Sequence, residues 1–278
     1  MIEISAEQAR QALRGLTIPP RPTILVDLYT RLQRPDANAR EIADGIARDV
    51  VLSAAVLKTV NSPLYGLRAN CVSIQHAVQL LGLSNVTTLV TGVLLRHSMG
   101  GKKQTLERFW DSAEKVASIS AHIAGTLPGV CREDSYLFGL FRDVGIPMLM
   151  QRWPDYKQTL ATAARQHRPL PEVEEERHRT SHCVISYLFS KSWGIPQHLR
   201  EGILRHHDPA VFEPSDTISR GALTLVAINH LAEKIHDAHR RPGEDPTWPH
   251  LRPRILERLG LTEGDVGEMT EELAQLAG

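Results

Sequence analysis

Apolar residues recur at helical spacing along most of the chain, whereas the strict alternation typical of half-buried strands is rare. The longest clear pattern begins near Thr105 and places its apolar side chains on a single helix face. Those positions are Leu106, Phe109, Trp110, Ala113, Val116, Ile119, Ile123 and Leu127. The chain is therefore predicted to be all-α, a multi-helix bundle.

The segment NAREIADGIARD, which begins at Asn38, combines a capping signal with an apolar stripe. Asn38 is a favourable N-cap residue, and Glu41 follows it at the spacing of a capping box. Ile42, Ile46 and Val50 then follow at intervals of four residues, which places them on one face of a helix. The pattern predicts that all three side chains are buried.

Further helix starts are marked by Ser73, Ser84 and Thr262, and Gly82 marks the end of the helix that follows Ser73. Between two apolar helices, the segment MGGKKQ at residues 99–104 sets paired glycines beside two lysines. We therefore predict an N-terminal helical subdomain over residues 1–100. A second helical subdomain over residues 101–278 would end in two short helices.

The segment HAVQLLGLSNVTTLV, which starts at His76, has the spacing of a helix-turn-helix motif. A recognition helix must present polar and basic side chains to base edges and phosphates. The second helix here instead carries Val86, Leu89 and Val90, with Arg96 as its one basic residue before His97. The segment is predicted to be buried, and no direct DNA binding is expected.

Charge and cysteine content limit the classes of partner and compartment. Lys plus Arg and Asp plus Glu each number 32, so no bulk field attracts nucleic acid or an anionic membrane. Cys71, Cys131 and Cys183 form no Cys-x-x-Cys motif, which favours a reducing compartment. The start of the chain lacks the pattern of a signal peptide, and the longest uncharged apolar stretch, residues 86–95, is too short to span a bilayer. A cytoplasmic protein is expected.

Three of the 13 histidines are candidates for a site, because they stand near predicted helix ends where side chains can converge. These are His182, in RTSHCVISYLFSKSWGIP, and the doublet His206-His207, in EGILRHHDP. One interpretation is metal ligation, and the other is local capping or hydrogen bonding. Cys183 has weaker support as a nucleophile, because the sequence identifies neither a base nor an oxyanion site near it.

Several stretches in order resemble the HDOD family, the HD-related output domain of bacterial signalling proteins. The region from Leu16 to Leu67, with its Pro pair, Asp49 and NSPLYG, is similar to the family's N-terminal signature. SIQHAVQLLGLSNVTTLV, FWDSAEKVA, YLFGLFRDVG, SHCVISYLFSKSWGIP and ILRHHDP follow in the family's order. The resemblance implies an all-helical fold in which an N-terminal helical subdomain packs on a subdomain related to HD phosphohydrolases.

Catalytic HD enzymes bind divalent metals through a first His, a His-Asp doublet and a later Asp, and the bound metal activates water. The resemblance places Ser112 at the first His, Arg142 and Asp143 at the doublet, and Glu233 at the later Asp. A guanidinium has no acceptor and stays protonated, so Arg142 cannot bind a cation. The resemblance therefore implies a degenerate motif with no catalytic residues, no metal and no cofactor.

We expect a regulatory protein that acts by binding signalling or regulatory proteins in a bacterial pathway, without catalysis. One alternative is a metal-dependent phosphohydrolase in which Asp143 joins His182, His206 and His207. Another is a nucleotide-sensing module in which Arg142 contacts a phosphate without hydrolysis. Arg142 is predicted to pair with Asp111, Glu114 or Glu233, with Glu233 preferred, rather than with Asp143, because adjacent residues of a helix do not face each other.

Overall fold

The structure is a computed structural model that describes residues 4–34, 38–61, 67, 69–99, 104–213, 218–238 and 248–277. The secondary structure of these residues is helical and contains no strand, so the prediction of an all-α fold is confirmed. No helix among them combines the length and the apolar character that crossing a lipid bilayer requires.

The helices follow one another with short connections, and most contacts are between neighbours in the sequence. In chain order they are α1 (Ala6–Ala12), α2 (Thr23–Leu32), α3 (Ala39–Ala47), α4 (Val50–Val60), α5 (Ile74–Leu81), α6 (Leu83–Ser98), α7 (Gln104–Thr126), α8 (Arg132–Phe141), α9 (Gly145–Arg152), α10 (Tyr156–Gln166), α11 (Leu170–His178), α12 (His182–Ser192), α13 (Gln197–Arg205), a 3₁₀ turn (Pro209–Phe212), α14 (Arg220–Ala238), α15 (Trp248–Leu259) and α16 (Glu263–Ala277).

Contacts divide the chain into two compact units. One comprises the described residues of Pro19–Gly100 and Ala274–Gly278, and the other those of Met1–Ile18 and Gly101–Leu273. The predicted boundary in residues 99–104 falls mostly outside the described residues, and the subdomains 1–100 and 101–278 stay a prediction.

The smaller unit, α2 to α6, confirms some of the local signals and corrects others. Asn38 caps α3 through its side chain, and Ser73 caps α5 in the same way. Val50 is 77% exposed, because α3 ends at Ala47 and Val50 opens the next helix, so its predicted burial is wrong. Ser84 is not a cap, because α6 begins at Leu83 directly after Gly82.

The second helix of the helix-turn-helix-like segment is α6, and its apolar residues lie in the core of the smaller unit. Val86, Leu89 and Val90 are buried, and Thr87 and Thr91 turn their hydroxyls back to carbonyls of their own helix. These residues have no free surface to present to base edges. The predicted burial is confirmed.

In the larger unit, α7 packs against α8 and α14, and these three helices lie beside α13. The predicted apolar face of α7 is largely confirmed, since Leu106, Trp110 and Ile123 are buried. Gly139 permits the close packing of α8, because a Cβ there would lie 2.6 Å from Cα of Ala117. The end of α8 is therefore held at a fixed place in the core.

Candidate metal centre

Four side chains meet where α8, α12 and α13 have their ends. Asp143 lies in the turn after α8, His182 is the first residue of α12, and His206 and His207 follow the last residue of α13. One potential ligand atom from each of the four lies within 4.8 Å of the others. His182 and His206 are buried, Asp143 is partly buried, and His207 is exposed. This cluster is the set of residues that the phosphohydrolase alternative required.

The turn that carries Asp143 is held against the start of α12 by Gly145. The backbone N–H of Gly145 donates to Oγ of Ser186 over 2.9 Å. A Cβ at position 145 would lie 2.4 Å from the carbonyl oxygen of His182, so only glycine fits this approach. Ser181 caps α12 through a bond from the backbone N–H of Val184. These contacts fix where Asp143 and His182 face each other.

Both buried imidazoles are oriented by acceptors on their Nδ1 side. Nδ1 of His182 lies 2.7 Å from Oε2 of Glu174, and Nδ1 of His206 lies 2.8 Å from the carbonyl oxygen of Ile203. A carboxylate and a carbonyl can only accept, so each Nδ1 carries the hydrogen. Each Nε2 then points toward Asp143, as metal-binding histidines are held in known sites.

The distances around Asp143 fit ligands of a common cation. Its Oδ1 lies 3.4 Å from Nε2 of His182 and 3.3 Å from Nε2 of His206. Charge-assisted hydrogen bonds are shorter, about 2.7–2.9 Å. Two ligands bound at about 2.0–2.1 Å in a tetrahedral site are about 3.3–3.4 Å apart. Three imidazoles and one carboxylate are therefore a donor set, at a suitable spacing, for a divalent metal such as zinc.

Without a metal, the centre holds its charge balance through protons. Burial alone would raise the pKa of Asp143, but Arg142 and the hydrogen-bonded His206 hold it well below its ordinary value. Burial would lower the pKa of His206, yet Cys183 and Asp143 raise it to about 10. The pKa of His182 is likewise raised, because the charges of Cys183 and Glu174 outweigh its burial. Cations are thus favoured at both buried imidazoles.

Cys183 and His207 lie beside these two positively charged imidazoles. Cys183 is buried, with Sγ 3.5 Å from Nε2 of His182. Its burial would raise the thiol pKa, but the charges of His182 and His206 lower it to about 7. The pKa of the exposed His207 is lowered by desolvation within the cluster and by the charges of His206 and His182. His207 is therefore the neutral imidazole of the three.

The positions aligned with the HD doublet form a second arrangement, centred on Arg142. Its Nη2 lies 2.8 Å from Oε1 of Glu233, its Nε lies 3.1 Å from Glu233 and 3.1 Å from Oδ2 of Asp143, and its Nη1 donates to the carbonyl of Gly139. The predicted pairing with Glu233 is confirmed. The exclusion of Asp143 is wrong, because Arg142 ends α8 and Asp143 lies in the following turn, so the two are not successive residues of a regular helix.

Ser112, which aligns with the first HD histidine, lies on α7 and contacts α14. Its Oγ lies 3.0 Å from Nε2 of His236, one turn beyond Glu233. Asp143 is the residue common to both arrangements, since it contacts Arg142 through Oδ2 and the buried imidazoles through Oδ1. At the two positions aligned with HD histidines, Ser112 and Arg142 thus carry a hydroxyl and a guanidinium in place of imidazole. The cluster of Asp143, His182, His206 and His207 keeps all of its potential ligand atoms.

A sequence model of the HDOD domain matches residues 18–209 of the chain. The chain belongs to the HDOD domain family. Its all-helical fold is similar to that of a solved HDOD domain structure. An HDOD domain protein with unknown function from Geobacter sulfurreducens is 26% identical, with 96% of this chain and 92% of that chain covered and a TM-score of 0.72.

One solved structure and one curated protein are further relatives of the HDOD chain. A protein from Shewanella amazonensis SB2B, provisionally named a phosphohydrolase, is 23% identical over 93% of this chain and 90% of its own, with a TM-score of 0.71. A curated protein from Treponema pallidum (strain Nichols), described as uncharacterized, is 24% identical over 193 residues, which are 69% of this chain. The matched region is 38% of that relative's length, so this HDOD chain spans well under half of it.

Sequence reasoning missed Glu174, which is fully buried although it stands in the run EVEEERH. The carboxylate accepts from the backbone N–H of His182 over 2.9 Å and from the hydroxyl of Tyr156. Its neighbours Glu172 and Glu176 lie nearer the surface and pair with Arg168. The available signal was helical spacing, because Glu174 shares a face with His178, a second buried polar residue of the HDOD chain.

Proposed function

We propose that this HDOD chain is a regulatory protein that works by binding and carries out no phosphoester hydrolysis. The observation that supports this most directly is the ion-paired guanidinium of Arg142 at the position of the catalytic histidine. The side chain is 5% exposed and contacts both Glu233 and Asp143. A permanent cation held there repels a metal and withdraws Asp143 Oδ2 from ligation. An HD active site that needs a metal ligand at this position cannot bind its metal ion there.

In this proposal the cluster of Asp143, His182, His206 and His207 holds one divalent ion. Such an ion would tie the end of α8 to the start of α12 and the end of α13. Three buried or partly buried carboxylates, Asp143, Glu174 and Glu233, stand against one guanidinium, which leaves two negative charges. One divalent cation satisfies that balance, as do two imidazolium protons.

A partner protein is the proposed target of regulation, and the smaller unit offers apolar surface for it. Val50 and Val72 are each 77% exposed, and Val51 is 62% exposed. Contiguous patches of exposed apolar side chains are typical of protein interaction sites. A protein from Marinobacter aquaeolei VT8 with a similar fold is provisionally named a signal transduction protein, which agrees with a signalling context.

The test combines metal analysis with a hydrolysis assay on the purified protein. The protein is dialysed against zinc or manganese, its bound metal is measured, and turnover of bis-p-nitrophenyl phosphate and of cyclic dinucleotides is followed. We expect about one metal ion per chain and no metal-dependent turnover. The double variant Ser112→His/Arg142→His, which returns two imidazoles to the HD-aligned positions, is expected to bind additional metal. Wild-type turnover that Asp143→Asn abolishes would overturn the proposal.

The second candidate function is metal-dependent phosphoester hydrolysis, and the histidine cluster is the observation that favours it. Three imidazoles and a carboxylate can hold a metal that would activate water without the histidine of the HD doublet. The same assay decides between the two candidates, because this one requires turnover in the wild-type protein. Nucleotide sensing through Arg142 is less favoured, since a phosphate would have to displace Glu233, Asp143 and the Gly139 carbonyl from the guanidinium.

A further inference from the structure

The buried carboxylate of Glu174 joins three helices at the metal centre. It projects from α11, and its Oε2 lies 2.9 Å from the backbone nitrogen and 2.7 Å from Nδ1 of His182 at the start of α12. Its Oε1 accepts the hydroxyl hydrogen of Tyr156, which projects from α10. Glu174 and His182 are both fully buried, and Tyr156 is closed off from solvent as well. No water competes for these bonds.

This arrangement determines how the His182 ring stands and which nitrogen carries its hydrogen. The two bonds to one carboxylate fix both the backbone and the ring of His182, so the imidazole cannot flip without losing a charge-assisted bond. Because the carboxylate only accepts, Nδ1 keeps its hydrogen, and Nε2, on the side of Asp143, is the nitrogen that releases its proton and offers its lone pair to a metal. The phenol of Tyr156 in turn restricts rotation of the Glu174 carboxylate.

We propose that Glu174 is a positioning residue of the metal centre, that it fixes the ring and tautomer of His182, and that Tyr156 anchors Glu174. The inference rests on the proposed metal-binding function and adds two residues that do not touch the ion. In this inference, the hydrogen bonds from Tyr156 through Glu174 to His182 control the affinity for the metal. A purely structural role for Glu174 would instead affect the stability of the start of α12 and leave the His182 tautomer unchanged.

The test measures zinc affinity and the ring nitrogens of His182 in the same proteins. Zinc affinity is measured by competition with a chromophoric chelator, and the tautomer by ¹⁵N shifts of the imidazoles in the zinc-bound protein, where the bound rings are neutral. Glu174→Gln keeps the size of the side chain and removes its charge. We expect it to weaken zinc binding by about 10–100-fold, the range found for such outer partners, and to mix the two tautomers. Tyr156→Phe should weaken zinc binding less and leave Nδ1 protonated.

Thr159→Val is the matched control, because it breaks a buried hydrogen bond between the same two helices. Thr159 of α10 lies 2.8 Å from Nε2 of His178 on α11, and it is fully buried. This variant should lose stability while keeping wild-type zinc affinity and His182 shifts. If it weakens zinc binding as much as Glu174→Gln does, the effect is general loosening and the positioning role is overturned.

The outcomes separate this inference from the function on which it rests. Wild-type protein that binds no zinc overturns the proposed metal binding, and the positioning role with it. Wild-type protein that binds zinc while Glu174→Gln binds it equally well, with unchanged ring shifts, overturns the positioning role alone. Weaker binding together with tautomer mixing in Glu174→Gln, absent from Thr159→Val, supports it.

Discussion

At the scale of single residues, Arg142 shows how one guanidinium holds two carboxylates together. Its guanidinium donates to Glu233 and Gly139 and contacts Asp143, so two carboxylates that would otherwise repel each other share one cation. Burial lowers the pKa of Arg142, but the charges of Asp143 and Glu233 raise it above its ordinary value. Arg142 therefore remains charged at every pH at which the protein is folded.

Removal of Arg142 should be costly mainly because it leaves Glu233 unpaired. Arg142→Met is expected to lower the free energy of unfolding by about 3 kcal/mol, the lower end for a broken buried pair, since Glu233 is 31% exposed. The double variant Arg142→Met/Glu233→Met should be more stable than Arg142→Met alone. The double-mutant cycle is completed by chemical denaturation of these two variants, of Glu233→Met and of the wild-type protein.

Arg31→Met is the control for that cycle, because Arg31 pairs with Asp27 on the exposed surface of α2. Its loss should cost less than about 1 kcal/mol. Strictly additive effects of Arg142→Met and Glu233→Met would show that the two side chains do not stabilise each other, and the compensation argument would then be wrong.

At the scale of helices, the turn between α8 and α9 sets the geometry of the centre. In YLFGLFRDVGIPML, residues 136–149, Gly145 and Pro147 are residue types typical of a turn. The structure instead begins α9 at Gly145, and Pro147 fits inside its first turn, where a missing N–H does no harm. The close contact between Gly145 and His182 then holds α9 against the start of α12.

Gly145→Ala is expected to disturb this contact, because its Cβ would lie 2.4 Å from the His182 carbonyl oxygen and 2.9 Å from its Cα. Backbone atoms cannot rotate away, so α9 and α12 must separate, at a cost of about 1–3 kcal/mol. Zinc affinity should fall as well, because Asp143 moves with the turn. Thermal unfolding and a zinc titration measure the two effects.

Gly45→Ala is the matched control, because Gly45 lies inside α3 and a Cβ there meets nothing within 4 Å. It should be neutral or stabilising by about 0.5–1 kcal/mol, as alanine is favoured over glycine in a helix. Equal stability losses in Gly145→Ala and Gly45→Ala would contradict the close-approach argument.

Helices were predictable from the sequence wherever the deciding interaction is local. Asn38 and Ser73 cap their helices because an N-cap bonds to backbone only two or three residues away. Val50 was misplaced because the end of α3 depends on the break before Asp49, which caps α4. Glu174 was missed because its partners Tyr156 and His182 come from two other helices, and the helical spacing that puts it on one face with His178 does not identify those partners.

At the scale of the whole molecule, the net charge of zero conceals a strongly ionic interior. The metal centre concentrates carboxylates, imidazoles and a guanidinium in one part of the larger unit. Positions near predicted helix ends identified His182, His206 and His207 as candidates and the resemblance to HDOD proteins added Asp143, but the sequence left metal ligation and local bonding open. The convergence of the four became clear only when three helix ends were placed together.

Zinc should stabilise the whole protein, and more strongly at high pH. With zinc at 100 times its Kd, the stability gain is about 2.7 kcal/mol, or roughly 5–10 °C in Tm for a domain of this size. The pKa of His206, about 10 in the metal-free protein, means that zinc must displace a proton at neutral pH. Each displaced proton makes the affinity rise about tenfold per pH unit, so the Tm shift should be larger at pH 8 than at pH 6.

The stability of the metal-free protein should instead fall as the pH rises. A raised histidine pKa contributes stability that is complete below the unfolded pKa of about 6.5 and is lost as the pH rises through about 10. Differential scanning calorimetry with and without zinc at both pH values measures the two trends. An equal zinc shift at pH 6 and pH 8, or a shift retained in His206→Ala, would contradict this account.

The ion pair of Arg142 also bears on how such a protein evolves. A lineage that regained the doublet histidine by Arg142→His alone would strand Glu233 without its cation and lose stability before it gained a reaction. Ser112→His alone would add an imidazole while the guanidinium still fills the doublet position. On the proposed function, each single substitution costs stability or gains no reaction, so the Arg142–Glu233 pair acts as an epistatic barrier to a stepwise return of the HD doublet.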